Sequence, residues 1–268
     1  MTGAAQDHRA GLPAARGDGP PPERWSGSGR ALLRLLAVQG AWSYERMQGV
    51  GAGWAAAPLL RPLAQQDAER YRAAVARSAE FFNANPNLAG LAVGAEVRAE
   101  FDGLPPEQIR RLRTALCSPL GALGDQVFWA GLVPALVALA VAGVALGGGA
   151  WPVAALVAVY ALVRLWTARW ALRTGLASGM SVGRVVTASW LPRAVPRVGP
   201  LAAFALGLAA PLAAAWLLPV VAPGHVAGVL VVAALGVGLG QWLGTRVTAV
   251  RFGLGALGIA LLLRWVTA

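Results

Sequence analysis

The chain has no lysine: all 23 of its basic residues are arginine. It carries one cysteine, Cys117, and two histidines, His8 and His225. A single thiol cannot close an internal disulfide, and one cysteine with two distant histidines cannot build a zinc site, so no metal and no cofactor is expected. Acidic side chains are scarce, and none follows Asp125 in the 268 residues. From Gln126 to Val163 no side chain is charged, and between Val198 and Thr245 the only titratable group is His225. Both stretches exceed the roughly 20 residues that cross a bilayer, and each is long enough for two helices.

What is present fits those absences. Hydrophobic residues make up 57% of the chain and charged ones 13%, with mean hydropathy +0.57, too apolar for a soluble domain of this length. The formal charge of +11 and pI near 11.6 would suggest a nucleic-acid partner in a soluble protein. Here the arginines sit between apolar spans, where membrane orientation and anionic headgroups account for them without nucleic acid.

Three regions follow. Residues 1–29 lack the apolar core of a signal peptide and read as a disordered cytoplasmic tail. Residues 30–118 form an amphipathic, partly membrane-embedded helical region, and residues 119–268 the transmembrane region. In "DAERYRAAVARSAEFF", Tyr71, Ala74, Val75, Ser78 and Phe82 share one helical face. The run "ALLRLLAVQGAWSYERMQGVGAGWAAAPLL" reads as helix buried against protein, because Arg34, Glu45 and Arg46 interrupt it too often for a lipid-facing span. Apolar helices are expected at about 127–146, 151–168, 200–221, 226–243 and 250–266. The fold class is therefore an all-α, multi-pass integral membrane protein with about five hydrophobic helices, some of which could be re-entrant. Connectors 147–150 and 222–225 have no arginine, whereas 164–197 carries six, which puts the N-terminus in the cytoplasm and the C-terminus outside.

Few constellations carry chemistry. Gly236, Gly240 and Gly244 repeat at spacing four without the strand or basic residue of a phosphate loop, and read as a helix-packing face. "EFFNANPN" places Asn83, Asn85 and Asn87 around Pro86, which forces Asn85 out of helical geometry. Such amides serve either as turn punctuation or as partners for sugar hydroxyls. Asp125 follows Pro119, Gly121 and Gly124, residues that permit a tight, non-helical approach. It either caps the next helix or, as an ionisable group at membrane depth, marks a functional site.

Three stretches in this order, "QGAWSYERMQGVG" (Gln39–Gly51), "EFFNANP" (Glu80–Pro86) and "SPLGALGDQVFW" (Ser118–Trp129), resemble the IID component of mannose/fructose/sorbose-type sugar phosphotransferase systems. The similarity is clearest over about residues 32–135. The resemblance implies a subunit of the bacterial cytoplasmic (inner) membrane that pairs obligately with a IIC subunit, the pairs being oligomeric, to carry a hexose. IIB phosphorylates that hexose with phosphate passed down from phosphoenolpyruvate through IIA. IID itself would hold no phosphorylated residue, so it is a translocation subunit rather than a catalyst. On this reading Asp125 lies on an unwound segment and accepts from sugar hydroxyls, Asn83 and Asn85 supply amides, and Gln39 is held in reserve. A buried Glu45 with Arg46 beside it would form a structural polar network.

One departure supports a second reading. Where the family has an Asn-containing helix followed by Arg-Tyr-Tyr-Gly, this chain has "VYALVRLWTARWALRTG" (Val159–Gly175), which keeps Arg164 and lacks the Asn and the paired Tyr. The alternative role is a non-transporting membrane scaffold that docks phosphotransferase proteins for regulation. An unrelated membrane enzyme has little support, because no nucleophile and base are paired in the sequence.

Overall fold

The computed structural model describes residues 25–217, whose regular elements are all helices, with two isolated bridges, Ser43 to Met47 and Met47 to Phe82, as their only extended pairing. The expected helices at 226–243 and 250–266, the glycines Gly236, Gly240 and Gly244, and both histidines lie outside the described residues.

Short helices come first: α1 (Ser28–Leu36), α2 (Gly49–Leu60), α3 (Leu63–Gln66) and α4 (Ala68–Ser78). Asp67 starts α4 by accepting from the N–H groups of Glu69 and Arg70, both at 2.9 Å, the usual answer to the unpaired donors of a first turn. The face expected from its periodicity is the one that packs, with Ala74 and Ser78 buried. The run from Ala31 to Leu60 is not one helix. Residues 37–48 leave helical geometry between α1 and α2, because Met47, at φ 51°, pairs with Ser43 and Phe82 instead.

The core is built on α5 (Ala89–Phe101), nearly all of it buried. It lies along α8 (Trp151–Ser178), the most extensive helix contact in the structure. The two backbones nearly touch: a Cβ on Gly94 would come within 2.6 Å of Leu172 O and of Leu176 N. Helices approach this closely only over small residues, and Ala168, Ala171 and Gly175 supply them on α8.

After α5, α6 (Pro106–Gly124), a π-helical segment (Asp125–Leu132) and α7 (Val133–Ala145) run on without a break for 40 residues. Pro119 sits inside α6. The unwound segment expected around Asp125 is thus helical, and its irregularity takes the form of a wider π turn. In apolar surroundings the backbone must satisfy its own hydrogen bonds, so the chain widens its turn rather than opening it. Residues 146–150 form the expected tight connector, with Gly147 and Gly149 at positive φ. A 3₁₀ turn (Gly179–Ser181) and α9 (Val182–Ala188) lead to α10 (Leu191–Leu217). Ala135, Ala138 and Ala142 of α7 form a second small core with Ala202, Ala205 and Ala209 of α10.

Two helical runs, Pro106–Ala145 and Trp151–Ala210, are long and apolar enough to cross a membrane. Their apolar side chains stay largely exposed, including Val153, Val157, Leu162, Leu206 and Phe204. α8 extends well past residue 168, so Arg164, Arg169 and Arg173 are helical rather than part of a loop.

Candidate functional site

Pro86 lacks an N–H and disfavours helix at the preceding residue, so the chain between α4 and α5 stays irregular. Backbone pairing fixes where it goes. Phe82 N donates to Arg46 O at 3.2 Å, and Gln48 N donates to Phe82 O at 2.8 Å. The Gln48 side chain adds a third tie, its Nε2 donating to Ala84 O at 2.6 Å.

Asn85 is held at the end of this clamp, 1% exposed. Its Oδ1 accepts from both the backbone N and the Nδ2 of Asn87, each at 3.1 Å. Its Nδ2 donates to Asp125 Oδ1 at 3.0 Å. Gly124 makes that contact possible, since a Cβ there would overlap the Asn85 side chain. Asp125 itself is exposed, on the first residue of the π-helical segment.

One end of this arrangement is therefore rigid and buried, and the other is an exposed carboxylate. Asn85 orients one oxygen of Asp125, and Oδ2 has no protein partner among the described residues. A carboxylate is an acceptor only, suited to hydroxyl donors. Two carboxamide oxygens close to the same loop, Asn87 Oδ1 and Gln48 Oε1, are buried without a partner. Buried polar atoms are nearly always satisfied, so these two mark the loop as unusual.

Of the residues singled out from sequence, the structure joins Asn85 and Asp125 directly. Asn83 and Gln39 are exposed, and their side chains make no hydrogen bond among the described residues. Glu45 and Arg46 are also exposed, on the turn before Met47, so they do not form the expected buried network.

That role belongs to Glu96 and Arg113. Arg113 donates through Nη1 to both carboxylate oxygens of Glu96 at 2.7 and 2.8 Å, with both side chains at most 3% exposed. Its Nε and Nη2 reach Phe81 O and Glu80 O at 3.0 and 2.8 Å, and its guanidinium lies 4.9 Å from the centre of the Phe82 ring. A second pair, Arg77 and Glu100, sits beside it, with Arg70 donating to Glu100 O at 2.6 Å. These ties hold the Asn-bearing loop against α5 and α6. Among the described residues no cluster of three or more His, Cys, Asp or Glu side chains could hold a metal ion.

Comparison with known proteins identifies the family. Residues 28–210 match the family model of the PTS system mannose/fructose/sorbose family IID component. The chain is 33% identical over 141 residues to the PTS system mannose-specific EIID component of Escherichia coli K12, a stretch covering 51% of this chain and 50% of that protein. It is 30% identical over 122 residues to the fructose permease IID component of Bacillus subtilis, covering 44% of each. The matched stretch thus spans about half the length of these relatives or less. Among solved structures, one described only as a membrane protein superposes with a TM-score of 0.60 and 27% identity over 67% of both chains. A chain from the cryo-EM structure of the mannose transporter ManYZ with microcin E492 superposes at 0.52, with 28% identity over 66% of both. With the family model covering well over half of its length, the chain belongs to the IID components of the mannose/fructose/sorbose family, membrane subunits of bacterial sugar phosphotransferase systems.

Proposed function

We propose that this chain is the IID half of a hexose-translocating unit and that Asp125, oriented by Asn85, accepts hydrogen bonds from the sugar hydroxyls. The 3.0 Å contact between Asn85 and Asp125 carries the reading. It sets an exposed acceptor against a buried, preorganised amide, which is how a polar solute is recognised beside apolar helices. Asn83, exposed two residues before Asn85, is the second amide contact. Partner chemistry follows from the family: a IIC subunit completes the path in an oligomer of pairs, and IIB, charged through IIA, phosphorylates the sugar. The exposed Trp42, Trp54, Phe81 and Trp129 support a large protein partner in the membrane. The N-terminal region lies on the cytoplasmic side, together with the arginines between residues 164 and 197 of this multi-pass chain.

The test is phosphoenolpyruvate-dependent phosphorylation of a panel of hexoses by vesicles that contain this chain, its IIC and IIB neighbours and the soluble phosphocarriers. Asp125→Asn should lower activity about tenfold to a hundredfold with assembly intact, the weight of a hydrogen bond to a charged group. Unchanged activity in the variant would remove Asp125 from the sugar site. Phosphorylated IIB on an assembled complex that modifies no hexose would favour the regulatory scaffold instead.

A further inference from the structure

Away from that site, a groove of about 510 Å³ opens between the C-terminal half of α8 and α9. Trp170, Thr174, Ser181, Arg184, Ser189 and Trp190 line it, together with the apolar Val185 and Ala188. Two of its hydroxyls are already committed: Ser181 Oγ donates to Ser178 O and Ser189 Oγ to Val186 O, both at 2.7 Å. Arg184 is not. It is exposed, makes no ion pair or side-chain hydrogen bond among the described residues, and lies in the part of the sequence that has no carboxylate. Trp190 Nε1 is a buried donor with no acceptor. No carboxylate or carboxamide lines the groove, so its free polar groups are mainly donors suited to an acceptor-rich anion.

Its depth is set by the tryptophans. Trp166 and Trp170 each lie 5.5 Å from Trp190, forming one indole cluster. Trp151, 83% exposed, stands at the other end of α8 from Trp166 and Trp170, on a helix that is uncharged as far as Val163 and whose Arg164 is tied to Leu36 O at 2.7 Å. At 1.5 Å per residue that separation is roughly 22–28 Å, close to the thickness of a bilayer's hydrocarbon core. Indoles gather at the two membrane interfaces, which places the groove at headgroup level on the arginine-rich side. Leu162, 67% exposed, lies one turn before the exposed Trp166, so an apolar track leads from the groove toward the bilayer interior.

We propose that this groove holds the phosphate of an anionic phospholipid, with Arg184 as its cationic contact and an acyl chain along Trp166 and Leu162. A sugar is best held by carboxylates or carboxamides, which the lining lacks, and a free phosphate would leave the apolar track without a partner. The inference does not depend on where sugar binds.

The test is native mass spectrometry of the full chain, purified from membranes and titrated with phosphatidylglycerol or phosphatidylcholine. Wild type should retain phosphatidylglycerol about fivefold better, the contribution of one basic residue at an anionic surface. Arg184→Gln should erase the preference. Arg173→Gln, exposed on α8 outside the groove lining, should keep it. Because Arg184 makes no side-chain contact that the fold needs, melting temperatures should match. Equal retention of the two lipids by wild type, a preference that survives Arg184→Gln, or displacement of phosphatidylglycerol by inorganic phosphate alone would each overturn the proposal.

Discussion

Asn85 Nδ2 donates to Asp125 Oδ1 at 3.0 Å across 40 positions of sequence, joining the irregular loop before α5 to the start of the π-helical segment. The two ends differ in what they can do. Asn85 is buried and tied to Asn87, so it cannot move without breaking the loop, whereas Asp125 faces outward with an oxygen to spare. A π turn commonly marks a functional position, because its wider backbone re-aims a side chain that a regular helix would direct elsewhere.

Gly124→Ala should break this relationship. Its Cβ would lie 2.5 Å from Asn85 Cγ, so Asn85 must be pushed off Asp125. We expect about 1–3 kcal/mol of destabilisation from overpacking, with hexose phosphorylation falling alongside it. Gly121→Ala, three residues earlier on the same helix, is the control: a Cβ there has nothing within 4 Å, and replacing a helical glycine should stabilise by about 1 kcal/mol. Thermal unfolding of the two variants in one detergent checks both signs. Equal melting temperatures would mean that the close approach at Gly124 carries no weight.

Much of this was legible in the sequence where one element decides its own geometry. Pro86 predicts the irregular loop, the period of "DAERYRAAVARSAEFF" predicts the buried face of α4, and Gly147 and Gly149 give a tight connector between two apolar helices. The sequence marks Asp125 as a candidate, and the structure gives it a helical backbone instead of the expected unwound one. Proline and two glycines suggested unwinding, and the long apolar helix absorbed all three. The polar network was misplaced for a different reason. Glu45 and Arg46 are neighbours in sequence, whereas Glu96 and Arg113 meet only because α5 and α6 fold back on each other, and no local spacing announces that pairing. Gln48 lies within the first of the family-like stretches and Asn87 one residue past the second, and their burial depends on the same tertiary placement.

Arg113→Met should be the more damaging half of that pair to remove. It leaves the buried Glu96 carboxyl, which burial already pushes up to about 7, without the cation that holds its charge, and strips hydrogen bonds from the carbonyls of Glu80 and Phe81. Breaking a buried ion pair from one side costs about 3–5 kcal/mol. Glu96→Gln keeps an acceptor for the guanidinium and should cost less. The double variant Glu96→Gln with Arg113→Met should recover part of the loss, because no unpaired charge is then buried. Denaturation of the four proteins side by side gives the coupling directly. Strict additivity of the two single changes would show that the contact contributes nothing as a pair.

Gly94→Ala asks what holds α5 to α8. Between helices in lipid the apolar surroundings supply little drive toward association, so close backbone contact over small residues does the work instead. Gly94 lies against the backbone of Leu172 and Leu176, and Gly175 lies against Leu91 O from the other side, so neither helix can withdraw a flexible side chain to make room. A methyl at 94 must separate the helices, and we expect about 1–3 kcal/mol of lost stability. Gly183→Ala, where a Cβ meets nothing within 4 Å, should be tolerated. The diagnostic measurement is hydrogen exchange in detergent, which reports where the loss falls. Faster exchange confined to α5 and the facing half of α8 is the expected pattern, since the helices part along one seam. Unchanged protection there would mean that the glycine contact is incidental, and that the ion pairs at the far side of α5 hold it in place.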